Sequence, residues 1–147
     1  MTLENLLALQ RLLSVTPDKA SVARLLRAAH RNLQDAGLEA LSADNRFDAA
    51  YKTILQCVML GLLANGYRTS TSQPGHHQTA LQALPKSMGV AAERVVVLDT
   101  LRRKRNLNDY EGEPVTEATL ATCLEEAAAL LQHAQTWLRE QHPDLLD

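Results

Sequence analysis

Apolar residues recur every three or four positions through most of this chain, and that spacing limits what it can fold into. A period near 3.6 buries one face of a helix, whereas a strand would need strict alternation. The pattern is strongest in two long segments. They carry Phe47, Tyr51, Ile54, Val58 and Leu62, and then Leu120, Leu124, Ala127, Leu131, Ala134 and Leu138. The sequence therefore predicts a helical bundle with the first of these segments at its centre, and the small residues of the second permit close packing of helices.

Start and stop signals divide the chain further. The first helix carries Leu3 to Leu13, and Thr16-Pro17-Asp18 starts the second, with Thr16 as its cap and Pro17 at the first helical position. Gly37 ends the second helix, and we expect it in the left-handed conformation. Ser42 caps the third helix, and Thr116-Glu117 starts the last.

The middle of the chain is more broken. Asn65-Gly66 ends the third helix, and residues 67–75 form a long polar loop. His76-His77 open a short helix that Pro85 and Gly89 end, and a fifth helix runs from about Ala91 to Leu107, before Gly112 and Pro114. No convincing strand is visible. We expect an all-α, up-and-down bundle of about five to six helices in a single domain, residues 1–147.

Charge and composition exclude several classes of protein. A net charge of −2 argues against a globally basic nucleic-acid binder, so any attraction to phosphate must be local. Cys57 and Cys123 both fall in apolar helical patterns, and we expect buried free thiols. The N-terminus has no signal-peptide pattern, and the longest apolar run, residues 57–64, is shorter than a membrane span. We expect a soluble, cytoplasmic protein with no membrane contact.

One stretch concentrates groups that bind anions. The stretch from Leu98 to Tyr110 begins as an apolar helix and continues with four consecutive cations, Arg102, Arg103, Lys104 and Arg105. Arginine makes forked contacts with phosphate, which predicts a phosphate or nucleotide site. Two simpler interpretations stay open: cations complement a helix C-terminus, and Arg105 with Asp109 is spaced as a surface ion pair.

Helix geometry separates these cations. Arg102, Arg105 and Asp109 share one stripe. Because a helix turns by about 100° per residue, Arg103 lies about 100° around the helix from Arg102. The four therefore cannot converge on one ligand within one subunit, which is a reason to expect pairing of equivalent helices in a dimer.

Histidine and tyrosine give weaker signals. His76 and His77 are adjacent and lack a third ligand, so they predict a helix cap or a contact that fixes the loop rather than a metal site. Tyr51 and Tyr110 either contact a base or pack beside the cationic helix. Zinc spacing, Gly-rich phosphate loops and dinucleotide fingerprints are missing from the sequence, so we expect no metal and no cofactor.

Several short motifs occur in a recognisable order. They are Ser42-Ala-Asp-Asn-Arg-Phe-Asp-Ala-Ala-Tyr51, Gly66-Tyr67-Arg68, Gly75-His76-His77, Leu84-Pro85, and Leu101-Arg-Arg-Lys-Arg-Asn106 followed by Asp109-Tyr110. This order resembles the HEPN domains of prokaryotic toxin–antitoxin and defence systems. The resemblance covers roughly residues 40–140, with the N-terminal helices of residues 2–37 expected to pack on that core.

The resemblance implies a helical bundle that pairs as a homodimer and cleaves RNA without a metal. Active members carry an Arg, a polar residue and a His four to six residues beyond the Arg. One register puts Arg103 at the Arg position and Asn108 at the His position. The other uses Arg105 and Asn106, with Tyr110 at the His position. Neither register supplies an imidazole.

The resemblance therefore implies two sets of site residues. The catalytic set is Arg103, Arg105, Asn108 and Tyr110, and the substrate-binding set is Arg102, Asn106, Asp109, His76 and His77. The substrate would be RNA or a nucleotide. Because no His is matched, a degenerate relative with reduced or no activity stays open, as do a binding module that partners a minimal nucleotidyltransferase or antitoxin and a structural dimerisation domain.

Overall fold

The computed structural model describes residues 1–146, which are mostly helical. Its helices are α1 (Leu3–Ala8), α2 (Lys19–Ala36), α3 (Ala43–Ala64), α4 (His76–Gln82), α5 (Leu84–Ser87), α6 (Ala92–Glu111) and α7 (Glu117–Gln141), followed by a 3₁₀ turn at Pro143–Leu145. Two short strands, β1 (Leu12–Ser14) and β2 (Tyr67–Thr69), pair antiparallel. The predicted all-α helical bundle is confirmed.

α3 is the central helix, and the predicted apolar stripe is its buried face. Phe47, Tyr51, Ile54 and Val58 have no exposed surface. α2 and α7 pack against α3 most extensively. Two polar contacts fix α2 on it: the Thr53 hydroxyl donates to the Ala29 carbonyl oxygen at 2.9 Å, and the Asn32 amide donates to Gln56 at 2.9 Å.

α3 is also long and apolar enough to cross a bilayer by length and composition. The apolar run in residues 57–64 is too short for that, but an average over 18 residues includes the apolar positions before it. Because 61% of that window is buried inside the bundle, α3 has the character of a core helix in a soluble protein.

Two predicted helix starts are confirmed. The Ser42 hydroxyl accepts from the Asn45 amide, and the Thr116 hydroxyl accepts from the Thr119 amide, both at 3.1 Å. The prediction for α2 was wrong by two positions. Asp18 is its cap and accepts from the Ser21 amide at 2.8 Å, because a carboxylate competes well for free amides at a helix start.

The helix ends differ from one another. Gly112 and Gly66 have φ of +69° and +92°, so both use the left-handed conformation open to glycine. The same prediction for Gly37 was wrong, since its φ is −82°. There the Gly37 and Leu38 amides bond back to the Gln34 and Asp35 carbonyls, which closes α2 with a tight right-handed turn.

The expectation of no strand was wrong, and it also placed the first helix too far along the chain. α1 ends at Ala8, Gln10 takes φ of +61°, and the chain then runs extended so that Leu12 is fully buried beside Thr69. Three-residue strands leave almost no alternation to detect in a sequence.

α6 also extends past its predicted end at Leu107, to Glu111. The added residues include Asn108, Asp109 and Tyr110, which have weak helix propensity. The Arg105–Asp109 ion pair and the Gly112 cap stabilise the helix across these positions. Pro85 does not end α4 as predicted. It lies in the first turn of α5, where its missing N–H costs nothing.

Candidate functional site

The start of α4 meets the second half of α6 and forms an open groove, which we call the α4–α6 groove. Its lining combines two imidazoles, two guanidinium groups, polar amides and one phenol. The lining residues are Gly75, His76, His77, Gln78, Arg102, Arg105, Asn106 and Tyr110. Six of them belong to the predicted site, and the fold brings those six together from two separate stretches of sequence.

The α4 side of the groove is fixed by a buried face and a glycine. Thr79, Ala80 and Leu81 are buried against the core, so the first turn of α4 remains at the surface. Gly75 precedes this turn with φ of +74°. His76 and His77 are therefore half-buried beside α6, with ring centroids 4.4 Å apart in an edge-to-face arrangement.

The environment of His77 favours its neutral form. Burial is the main cause that lowers its pKa from the ordinary 6.5. Repulsion from His76, Arg105 and Arg102 lowers the pKa of His77 further. At neutral pH this imidazole is uncharged and available to accept a proton.

Arg102 forms one part of the α6 side of the groove. Its Nε donates to Asp99 Oδ1 at 2.8 Å, and only 16% of its side chain is exposed. Arg103 binds the other oxygen of Asp99 at 3.0 Å but is 69% exposed and does not line the groove. The predicted separation of these two arginines is therefore observed.

Arg105 is held more by charge than by hydrogen bonds. Its Nε lies 3.4 Å from Asp109 Oδ2 and 3.8 Å from Asp48 Oδ1, yet this buried atom makes no hydrogen bond. The Asp48 contact is too long for a hydrogen bond and the Asp109 contact is poorly aligned for one, so we interpret both as electrostatic. The Tyr51 ring lies 5.2 Å below the guanidinium carbon, within cation–π range.

Tyr51 occupies the layer beneath the groove. It is fully buried and its hydroxyl has no hydrogen-bond partner. Burial raises the pKa of Tyr51 to about 12, although Arg105 and Arg102 oppose that rise. Of its two open interpretations, the packing one is observed, since a ring with no exposed surface cannot contact a base.

The remaining predicted residues occupy different places. Asn106 and Tyr110 line the groove, and Tyr110 is 84% exposed. Asn108 lies outside it, where its side-chain amide donates to the Glu113 carbonyl at 2.9 Å and closes the end of α6. Asp109 contributes only through its ion pair with Arg105. Arg103 and Asn108 are thus the two predicted catalytic residues that the fold keeps out of the groove.

Sequence reasoning missed Asp48 as a neighbour of Arg105. It lies on α3 one turn before Tyr51, so both point toward α6. A polar Tyr in an otherwise apolar stripe was the available signal that this face of α3 meets charged groups. Within residues 1–146 there is no cluster of three or more His, Cys, Asp or Glu side chains able to hold a metal ion.

Comparison of the sequence with protein-family models and with curated proteins finds no match.

Proposed function

We propose that this protein is a HEPN-like ribonuclease of a toxin–antitoxin or defence system that cleaves RNA in the α4–α6 groove without a metal. One observation carries the proposal: His76 and His77 of α4 lie beside Arg102 and Arg105 of α6. The imidazole that α6 lacks in either register is thus available from another helix. Imidazole beside guanidinium is the chemistry that phosphodiester cleavage needs near neutral pH.

The proposed reaction is internal transfer at one phosphate. The 2′-hydroxyl attacks the adjacent phosphorus while neutral His77 accepts its proton. Arg105 and Arg102 stabilise the negative charge on the phosphorane oxygens. The bond to the 5′ oxygen then breaks, and His76 gives that oxygen a proton. The products are a 2′,3′-cyclic phosphate and a 5′-hydroxyl end.

The rim of the groove favours single-stranded RNA as substrate. Tyr110 exposes its ring beside Arg105 and Asn106, and an exposed ring offers a stacking surface to an unpaired base. The half-buried Asn106 amide is placed to hydrogen-bond the ribose or the phosphate. A duplex presents no free base face to this rim.

The test is cleavage of end-labelled single-stranded RNA in EDTA. Relative to wild type, we expect His77→Ala and Arg105→Ala each to lose about 100-fold or more in rate. Arg139→Ala removes an exposed arginine of α7 and is the matched control. We expect the rate of the control to be unchanged and cleaved RNA to carry a cyclic phosphate.

Arg103→Ala separates the two registers. Because Arg103 lies outside the groove, we expect it to keep most of the activity that Arg105→Ala loses. If Arg103→Ala lost the activity and Arg105→Ala kept it, the catalytic arginine would be Arg103 and not Arg105. Intact RNA of varied sequence after long incubation with wild type would refute the nuclease.

A second candidate rests on the exposure of Tyr110. As the non-catalytic partner of a minimal nucleotidyltransferase, the chain would accept a nucleotidyl group on this phenol, which is 84% exposed. Co-expression with such an enzyme should then add the mass of a nucleotidyl group. Tyr110→Phe should abolish the added mass and Tyr67→Phe should not. An unchanged intact mass would exclude this candidate.

We also propose that two copies pair through α6 in the cytoplasm. Val96 of α6 is apolar yet 67% exposed, and pairing of two α6 helices would bury it. Sedimentation should give a dimer for wild type and a monomer for Val96→Asp. A wild-type monomer at high concentration would exclude pairing.

A further inference from the structure

α2 carries a second cationic surface, on another side of α3 from the groove. Arg24, Arg27 and Arg31 are all exposed and line one shallow surface depression with Ser21, Leu25 and Ala28. At about 100° per residue the three arginines fall within an arc of about 60° and span about 10 Å along the helix. We call them the α2 arginine stripe.

The stripe is separate from the α4–α6 groove. α2 packs on α3 at Thr53 and Gln56, whereas Arg105 meets α3 at Asp48 and Tyr51. These two pairs point to different sides of the α3 helix. A ligand of the stripe therefore does not have to occupy the groove.

Within the described residues, no close ion pair engages the stripe, since the ion pairs within 4.0 Å involve none of these three arginines. Asp18, the nearest acidic residue before the stripe, is engaged as the α2 cap, and Arg24 donates to the Ser21 hydroxyl at 2.9 Å. In a chain of net charge −2, the stripe is a local exception rather than part of a general basic character.

We propose that the α2 arginine stripe binds the phosphate backbone of a nucleic acid strand, independently of its sequence. Three guanidinium groups in a row along a rigid rod match a ligand with charges repeated along its length. The stripe has no exposed aromatic ring and no large exposed apolar side chain. Base stacking and the apolar centre of a protein interface are therefore both missing, so the guanidinium charges are the means by which the stripe can hold a ligand.

The proposal does not depend on cleavage in the groove, and its test uses a strand that cannot be cleaved. The probe is a fluorescent 2′-O-methyl oligouridine, which lacks the attacking hydroxyl, and its anisotropy is followed in EDTA at several salt concentrations. The variant is Arg24→Ala/Arg27→Ala/Arg31→Ala. Its matched control, Arg11→Ala/Arg68→Ala/Arg139→Ala, removes the same charge from exposed arginines elsewhere. Circular dichroism verifies that both fold.

For three lost phosphate contacts, we expect the slope of log affinity against log salt to fall by about 2 in magnitude. The control should keep the wild-type slope. Arg24→Lys/Arg27→Lys/Arg31→Lys should recover most of the binding, since the charges are retained. An oligonucleotide of another sequence should bind alike. An unchanged slope in the alanine variant would overturn the proposal, as would an equal loss in both triple variants.

Discussion

His77 lies in the α4–α6 groove, and the fold disfavours the protonated form of its imidazole. Its pKa is lowered by burial, so the unfolded chain binds a proton on this imidazole at a higher pH than the folded chain does. The free energy of unfolding therefore falls as pH decreases from about 6.5 through the folded pKa, and this effect is absent above about 6.5.

His77→Gln tests that linkage, because the amide stays neutral. We expect the variant to lose less stability than wild type between pH 7.5 and pH 5, as measured by urea unfolding at both values. Taking the difference between the free energies of unfolding of the two proteins at each pH cancels the contributions of the other titrating groups. An identical pH dependence would contradict the lowered pKa.

Tyr51 carries the opposite shift. Its hydroxyl is buried without a partner and its pKa is raised to about 12, so folding opposes ionisation of this phenol. We expect Tyr51→Phe to raise the free energy of unfolding by about 1 kcal/mol, since the unpaired hydroxyl is removed while the ring below Arg105 remains.

The same substitution has an alkaline signature. Because the folded pKa is raised, wild type loses stability as pH rises above about 10, and Tyr51→Phe should lose less. Ultraviolet titration should also lack the tyrosine that ionises last. Tyr110→Phe, at an exposed position, is the control. A destabilised Tyr51→Phe would mean that the hydroxyl has a partner.

At the scale of helices, two glycines that look alike in the sequence have different roles. Gly112 has φ of +69° with open space around it, and Gly37 has φ of −82° with room limited only by the Gln34 carbonyl at 3.3 Å. We expect Gly112→Ala to cost about 1 kcal/mol from backbone strain alone. Gly37→Ala should change stability by less than about 0.5 kcal/mol. Thermal unfolding of both variants compares them, and equal costs would contradict the assigned conformations.

The helices were predictable from the sequence because period and caps are local signals. The Ser42 and Thr116 hydroxyls each accept from a backbone amide three positions ahead, so nearby residues are enough to identify both as helix caps. The β1–β2 pair was not predictable, because each three-residue strand gains its partner from a distant part of the chain. A glycine at a helix end likewise does not reveal which turn the chain takes there.

The candidate site divides in the same way. The cations of α6 and their separation into stripes follow from helix geometry, and Arg102 and Arg103 lie as that geometry predicts. The approach of His77 to α6 depends on how α4 packs after a polar loop, which no local signal encodes. The tertiary fold thus places two imidazoles beside α6 that the sequence of α6 alone does not contain.

For the whole molecule, the two cysteines report whether the bundle opens as a unit. Cys57 of α3 and Cys123 of α7 are fully buried free thiols, and burial raises the pKa of each to about 12. The reactive thiolate is therefore available only when the protein opens. We expect DTNB to label neither cysteine quickly in the native protein and to label both at one common rate.

Asp44 provides a way to change that rate. Its carboxylate accepts from the Val115 amide at 2.8 Å and ties the segment between α6 and α7 to the start of α3. Losing this charge-assisted bond in Asp44→Ala should cost about 1.5 kcal/mol and raise both labelling rates about tenfold. Asp44→Asn keeps an acceptor oxygen and should have a smaller effect. If Cys123 alone reacted faster, α7 would be opening separately from α3, and the bundle would not be one cooperative unit.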